Sequence, residues 1–193
     1  MFNTIEVIST ITAKEEASKE NITFRLDKVT LDKLRFEAEE KNSSVNAIAS
    51  AIFITHYKWT ASAAKAGMIP IHKTLLAMFI DKLADEEVVK IAKLFAEVRV
   101  KDMTLVLRSD YNLSTFLDVL ESWMNASSVS FGKNFANDSY RYFISHEIGS
   151  KWSSFLSIML QSVLKKMGVS NVSFEVTDGT VTFSVPKLVL RAR

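Results

Sequence analysis

Between residues 22 and 26 apolar and polar side chains alternate. Ile22, Phe24 and Leu26 stand against Thr23, Arg25 and Asp27, the two-residue period of a strand with one face buried. Behind it the period becomes helical: Leu31, Leu34 and Ala38 follow Thr30, which reads as the cap, and Asn42-Ser43-Ser44 ends the helix. A second helix then carries Val45, Ile48, Ala49, Ile52, Phe53 and His56 on one face. One strand and two helices in about forty residues make too small a core to stand alone, and a lone strand leaves its edges without partners. A second copy of the chain related by a two-fold axis meets both needs.

A small-residue joint at 62–67 precedes a new start at Pro70. Leu75, Met78, Phe79 and Leu83 form one helical stripe. Asp85 reads as a cap, with Glu86 and Glu87 in a first turn that favours acids, ahead of Val88, Ile91, Ala92 and Phe95. From residue 98 the pattern alternates again at Met103, Leu105 and Leu107, which predicts a strand. An amphipathic helix follows on Leu113, Phe116, Leu117, Leu120 and Met124, then a weak strand at 129–131 and a loop at 132–138. Tyr140, Tyr142 and Ile144 mark the next strand, and Trp152, Phe155, Leu156, Met159 and Val163 a long helix closed by Gly168. Val172, Phe174 and Val176 run out, Asp178-Gly179 turns, and Val181, Phe183 and Val185 run back. The order β-α-β-β-α-β with one further strand fits a ferredoxin-like α+β domain. The chain thus divides into an arm at 1–20, a strand-helix-helix unit at 21–66, a helical connector at 67–97, an α+β domain at 98–186 and a basic tail at 187–193.

Composition narrows the class. With 193 residues, 48% of them hydrophobic, five Gly and two Pro, the chain is suited to folding rather than to disorder. No apolar run reaches the ~18 residues of a membrane span, and the first twenty residues lack the apolar block of a secretory signal. There is no cysteine, so neither a disulfide framework nor a thiolate metal site is expected, and the default is a cytoplasmic protein that does not meet a membrane. The net charge of +2 is unevenly spread: residues 21–66 carry seven Lys and Arg against five acids, and the tail adds three more cations.

The run from Ile22-Thr-Phe-Arg-Leu-Asp through Leu31-Asp-Lys-Leu-Arg and Ala38-Glu-Glu to Ser44-Val-Asn resembles the Arc/MetJ-type ribbon-helix-helix repressors over residues 21–59. The resemblance implies a homodimer whose paired strands form a ribbon that enters the major groove of double-stranded DNA. Ile22, Phe24 and Leu26 would face the helices, while Asn21, Thr23 and Arg25 would meet base edges, Arg25 as a bidentate donor to guanine. Ser44, Val45 and Asn46 would present the second helix's N-terminal amides to phosphate, with Lys28 as a further phosphate contact. Such a head on a ferredoxin-like domain is similar in plan to nickel-responsive repressors. The metal chemistry does not follow, since His56, His72 and His146 are widely separated. His56 falls on the buried face of its helix, and His72 is expected at the surface.

Tyr142, His146, Lys151 and Trp152 gather at a strand-to-helix junction, a place for a small pocket and a small-molecule effector. The junction resembles archaeal regulator domains with His, Gly and Lys-Trp there. The same residues also suit an ordinary packed core. Neither a cofactor motif nor a catalytic set is present: no glycine-rich phosphate loop, no nucleophile motif, and acidic pairs that diverge around their helices. The expectation is a homodimeric, sequence-specific transcription regulator, possible as a higher oligomer. The alternative is an antitoxin-like or other interaction module whose C-terminal domain grips a protein partner.

Overall fold

The computed structural model describes residues 20–169 and 172–187. The arm expected at 1–20 and the tail expected at 187–193 lie outside these residues, except for Glu20 and Lys187. The chain divides into two compact units between Val45 and Asn46, and together they give an α+β protein.

In the first unit, residues 20–27 have no regular secondary structure. The strand expected there is absent from the single chain. Helix α1 (Lys28–Glu40) follows, and its cap is Asp27 rather than Thr30. The Asp27 carboxylate accepts from the Thr30 amide at 2.9 Å and from the Thr30 hydroxyl at 2.6 Å. An acid serves better at this end because the free amides and the helix dipole both favour negative charge. The same bonds, led by the Thr30 side chain, lower the Asp27 pKa.

The second unit takes up α2 (Val45–Thr55) from Asn46 onward, and this helix runs through a π-helical turn at His56–Thr60 into α3 (Ala61–Ala63). His56 is exposed in that turn, against the expectation that it lies on a buried face. Ile52 and Phe53, on the same expected face ahead of the turn, are already half exposed, so the buried stripe through Ile48 stops before it reaches His56. Helix α4 (Lys73–Ile80) is capped by His72, whose Nδ1 accepts from the Thr74 amide at 3.2 Å. Helix α5 (Asp85–Val98) starts one residue earlier than expected: Ala84, not Asp85, holds the cap position, and Glu87 accepts from its amide at 2.8 Å.

Residues 100–108 form helix α6 (Val100–Arg108), not a strand. Met103 and Leu107 fit both periods, but Val100, Met103, Thr104 and Leu107 are the buried set, spaced i, i+3, i+4, i+7, while Leu105 is exposed. Helix α7 (Leu113–Ala126) is held by a reciprocal box, with Asn112 accepting from the Thr115 amide and Thr115 from the Asn112 amide, each at 3.0 Å.

Strand β1 (Ser130–Ala136) extends through most of the expected loop at 132–138. At Gly132 a Cβ would meet Phe143 of the neighbouring strand at 3.5 Å, an ordinary van der Waals contact, so the strand does not require glycine there. Asn137 and Asp138 form the turn with φ of 50° and 54°, the two positive values of a type I′ hairpin. Strand β2 (Ser139–Ser145) leads to α8 (Ser150–Lys166), and β3 (Ser173–Val176) and β4 (Thr180–Pro186) close the chain around Asp178-Gly179. The sheet is antiparallel throughout, in the order β1-β2-β4-β3. Because residues 100–108 are helical, the expected β-α-β-β-α-β order is replaced by two hairpins joined by α8.

One face of this sheet carries the core. Tyr142, Ile144, Val181, Phe183 and Val185 pack with Ala92 and Ala96 of α5, Phe116 and Leu120 of α7, and Leu156, Met159 and Leu160 of α8. Full burial of each large side chain here is worth about 1.5–3 kcal/mol, and this cluster organises the second unit. Among the described residues no helix is long and apolar enough to cross a membrane.

Candidate functional site

Residues 20–27 offer a row of groups to their surroundings. Asn21, Thr23 and Arg25 are exposed. So are the apolar positions between them, with Ile22 at 74% and Leu26 at 50%. Lys28 is exposed in the first turn of α1, and Ser44 immediately precedes α2. Val45 is half-buried and Asn46 exposed. In the second unit, Ile52, Ile54 and Tyr57 are exposed, Tyr57 at 84%. Apolar side chains of this size seldom face water in a run unless another surface covers them.

The four residues at the strand-to-helix junction have separate duties. His146 is fully buried. Its Nδ1 accepts from the Ile148 amide at 3.1 Å, which leaves the proton on Nε2 to be donated to the Ser153 hydroxyl at 2.8 Å. Burial, and secondarily the charge of Lys73, hold the imidazole below its usual pKa. It is therefore a neutral linker between β2 and α8. Lys151 donates from Nζ to the carbonyls of Asp81 at 2.9 Å and Leu83 at 2.5 Å, fastening α8 to the segment after α4. Trp152 stacks on Phe155 at 4.9 Å. Tyr142 stacks on Phe183 at 4.9 Å and lines a cleft whose other walls include none of these three.

One polar node has no counterpart in the sequence reading. Arg108, at the end of α6, donates from Nε to Asp118, from Nη2 to the Ser122 hydroxyl at 2.6 Å and from Nη1 to the Lys58 carbonyl at 2.8 Å. Lys58 adds a second cation 3.7 Å from Asp118. The partners lie ten, fourteen and fifty residues away from Arg108, with no local pattern to announce them. Among the described residues no group of three His, Asp or Glu side chains is placed to hold a metal ion. No protein-family model matches the chain, and no curated protein is similar to it.

Proposed function

We propose that the protein is a homodimeric, ribbon-helix-helix DNA-binding regulator, acting in the cytoplasm on double-stranded DNA. The observation that carries this reading is the segment at 20–27: Ile22 and Leu26 are largely exposed in the single chain, in strict alternation with Thr23 and Arg25. Pairing with the same segment of a second copy buries the apolar set and turns the polar set outward as one surface. That surface has the width of a two-stranded ribbon, which the major groove admits. The exposed Ile52 and Ile54 of α2 supply further apolar area for the same dimer. Asn21, Thr23 and Arg25 then read bases. Lys28 and the amides at Ser44, Val45 and Asn46 hold phosphate, fixing position without reading sequence.

A second reading, a protein-interaction module, draws on the second unit, where Met78 and Phe79 of α4 and Leu94 of α5 are also exposed. Selection of bound sequences from random DNA, at a stated salt concentration, separates the two. The regulator reading expects an enriched, repeated half-site. Arg25→Ala should then lose about 1–3 kcal/mol, concentrated at one base position. Lys28→Ala should weaken all sequences alike and lower the salt slope by about one unit. Binding and preference unchanged in Arg25→Ala would remove the ribbon from the DNA interface.

A further inference from the structure

A cleft of about 380 Å³ lies on the helix side of the sheet, between α7 and the β1–β2 hairpin, within the range of small-molecule sites. Its two walls carry opposite charge. Asp118 and Glu121, with Ser114 and Leu117, form one stripe of α7 at helical spacing, while Lys133 of β1 and Lys187 beyond β4 face them across the gap. No ion pair among the described residues joins either lysine to either acid. Asp118 is already matched by Arg108 and Lys58, which leaves Glu121 as the open anion. Lys133 is held over the Tyr140 ring at 4.5 Å and the Tyr142 ring at 5.5 Å.

Tyr142 is the decisive residue. It is 2% exposed, yet its hydroxyl has no hydrogen-bond partner among the described residues. No fully buried side-chain oxygen among the described residues lacks a partner, so this hydroxyl keeps some exposure, and Tyr142 lines the cleft. Burial, with the nearby charge of Glu121, pushes its pKa up to about 12. At neutral pH it is a proton donor awaiting an acceptor.

We propose that this cleft binds a small zwitterion, a free α- or ω-amino acid. Its carboxylate accepts from the Tyr142 hydroxyl and pairs with Lys133, and its ammonium group pairs with Glu121. The tyrosine rings and Leu117 flank the carbon chain. This site stands apart from the DNA-binding proposal and can be tested without DNA.

The test is titration of the isotope-labelled full chain with each standard amino acid, and with β-alanine, 4-aminobutyrate and 5-aminovalerate, at millimolar concentration. Backbone amide shifts at Glu121, Lys133, Tyr140 and Tyr142 report binding. At least one zwitterion should saturate these shifts, and its deaminated acid and decarboxylated amine should bind at least about tenfold more weakly. Tyr142→Phe keeps the ring stack and should weaken binding about tenfold or more. Lys133→Gln, a change at an exposed position that leaves the core alone, should do the same. Glu121→Gln should abolish the preference for the zwitterion over its deaminated acid. The proposal is overturned if no amino acid shifts these amides, if the deaminated acid binds as well, or if folded Lys133→Gln and Tyr142→Phe bind as tightly as the parent.

Discussion

His146 shows how a residue with the look of a ligand can be consumed by the fold. Both ring nitrogens are committed, one accepting from Ile148 and the other donating to Ser153, and protonation would set a second N–H against the Ile148 amide. Its folded-state pKa lies below the ordinary value of 6.5, so the unfolded chain takes up the proton first. The stability it contributes is complete above that value and is lost as pH falls below it toward the folded pKa. Urea unfolding followed from pH 7.5 to pH 5 should show declining stability, with a shallower decline in His146→Asn. At the β1–β2 turn, Asp138 sits at φ 54°, a conformation glycine adopts without steric cost. Its contribution to the ladder is a backbone carbonyl that accepts from the Lys187 amide, which glycine retains. Asp138→Gly relieves a left-handed cost of about 1–2 kcal/mol against about 0.4–1 kcal/mol of added unfolded-chain entropy, so it should raise stability by about 1 kcal/mol or less, read from the denaturation midpoint.

Elements were legible in the sequence where one period stood alone. Helix α7 and the β3–β4 hairpin lie where their apolar spacing puts them, because Leu113, Phe116, Leu117 and Leu120 together fit only a helix, and Val181, Phe183 and Val185 only a strand. Residues 103–107 fit two. Alternation at Met103, Leu105 and Leu107 suggests a strand, but positions four apart share a helix face as well, and the burial of Val100 and Thr104 decides for α6. Only the start of strand β1 was legible, at 129–131, for a different reason: Gly132, Lys133 and Asn134 beyond it are poor strand formers, and pairing with β2 holds them in place. Of the junction residues, adjacency in sequence said little about common purpose, since Tyr142 opens onto a cleft while His146 and Lys151 act as fasteners. The Arg108 node could not be read at all, because it joins α6, α7 and the π turn across the fold. Arg108→Ala leaves the partly buried Ser122 hydroxyl and the Lys58 carbonyl without that donor. It should destabilise the protein by about 1–3 kcal/mol in chemical denaturation, whereas exposed Arg141→Ala, which breaks only a surface pair with Glu175, should cost under about 1 kcal/mol.

For the whole molecule, the buried core accounts for the second unit but not for the segment at 20–27. There, side chains that alternate as a strand's would are exposed along a stretch without regular structure. The proposed dimer answers this with one feature, a ribbon shared by two chains, and the absence of cysteine makes that feature directly measurable. Asn21→Cys, Thr23→Cys and Arg25→Cys, prepared singly and oxidised under mild conditions, place thiols on the outward face. In an antiparallel pair about a two-fold axis, the residue nearest the axis meets its own copy. A disulfide forms when the two Cα atoms lie about 4.4–6.8 Å apart. The ribbon predicts rapid, near-complete covalent dimer at one of these positions and little at a control such as Lys65→Cys. Monomer persisting at all three positions, or cross-linking no faster than at the control, would contradict it.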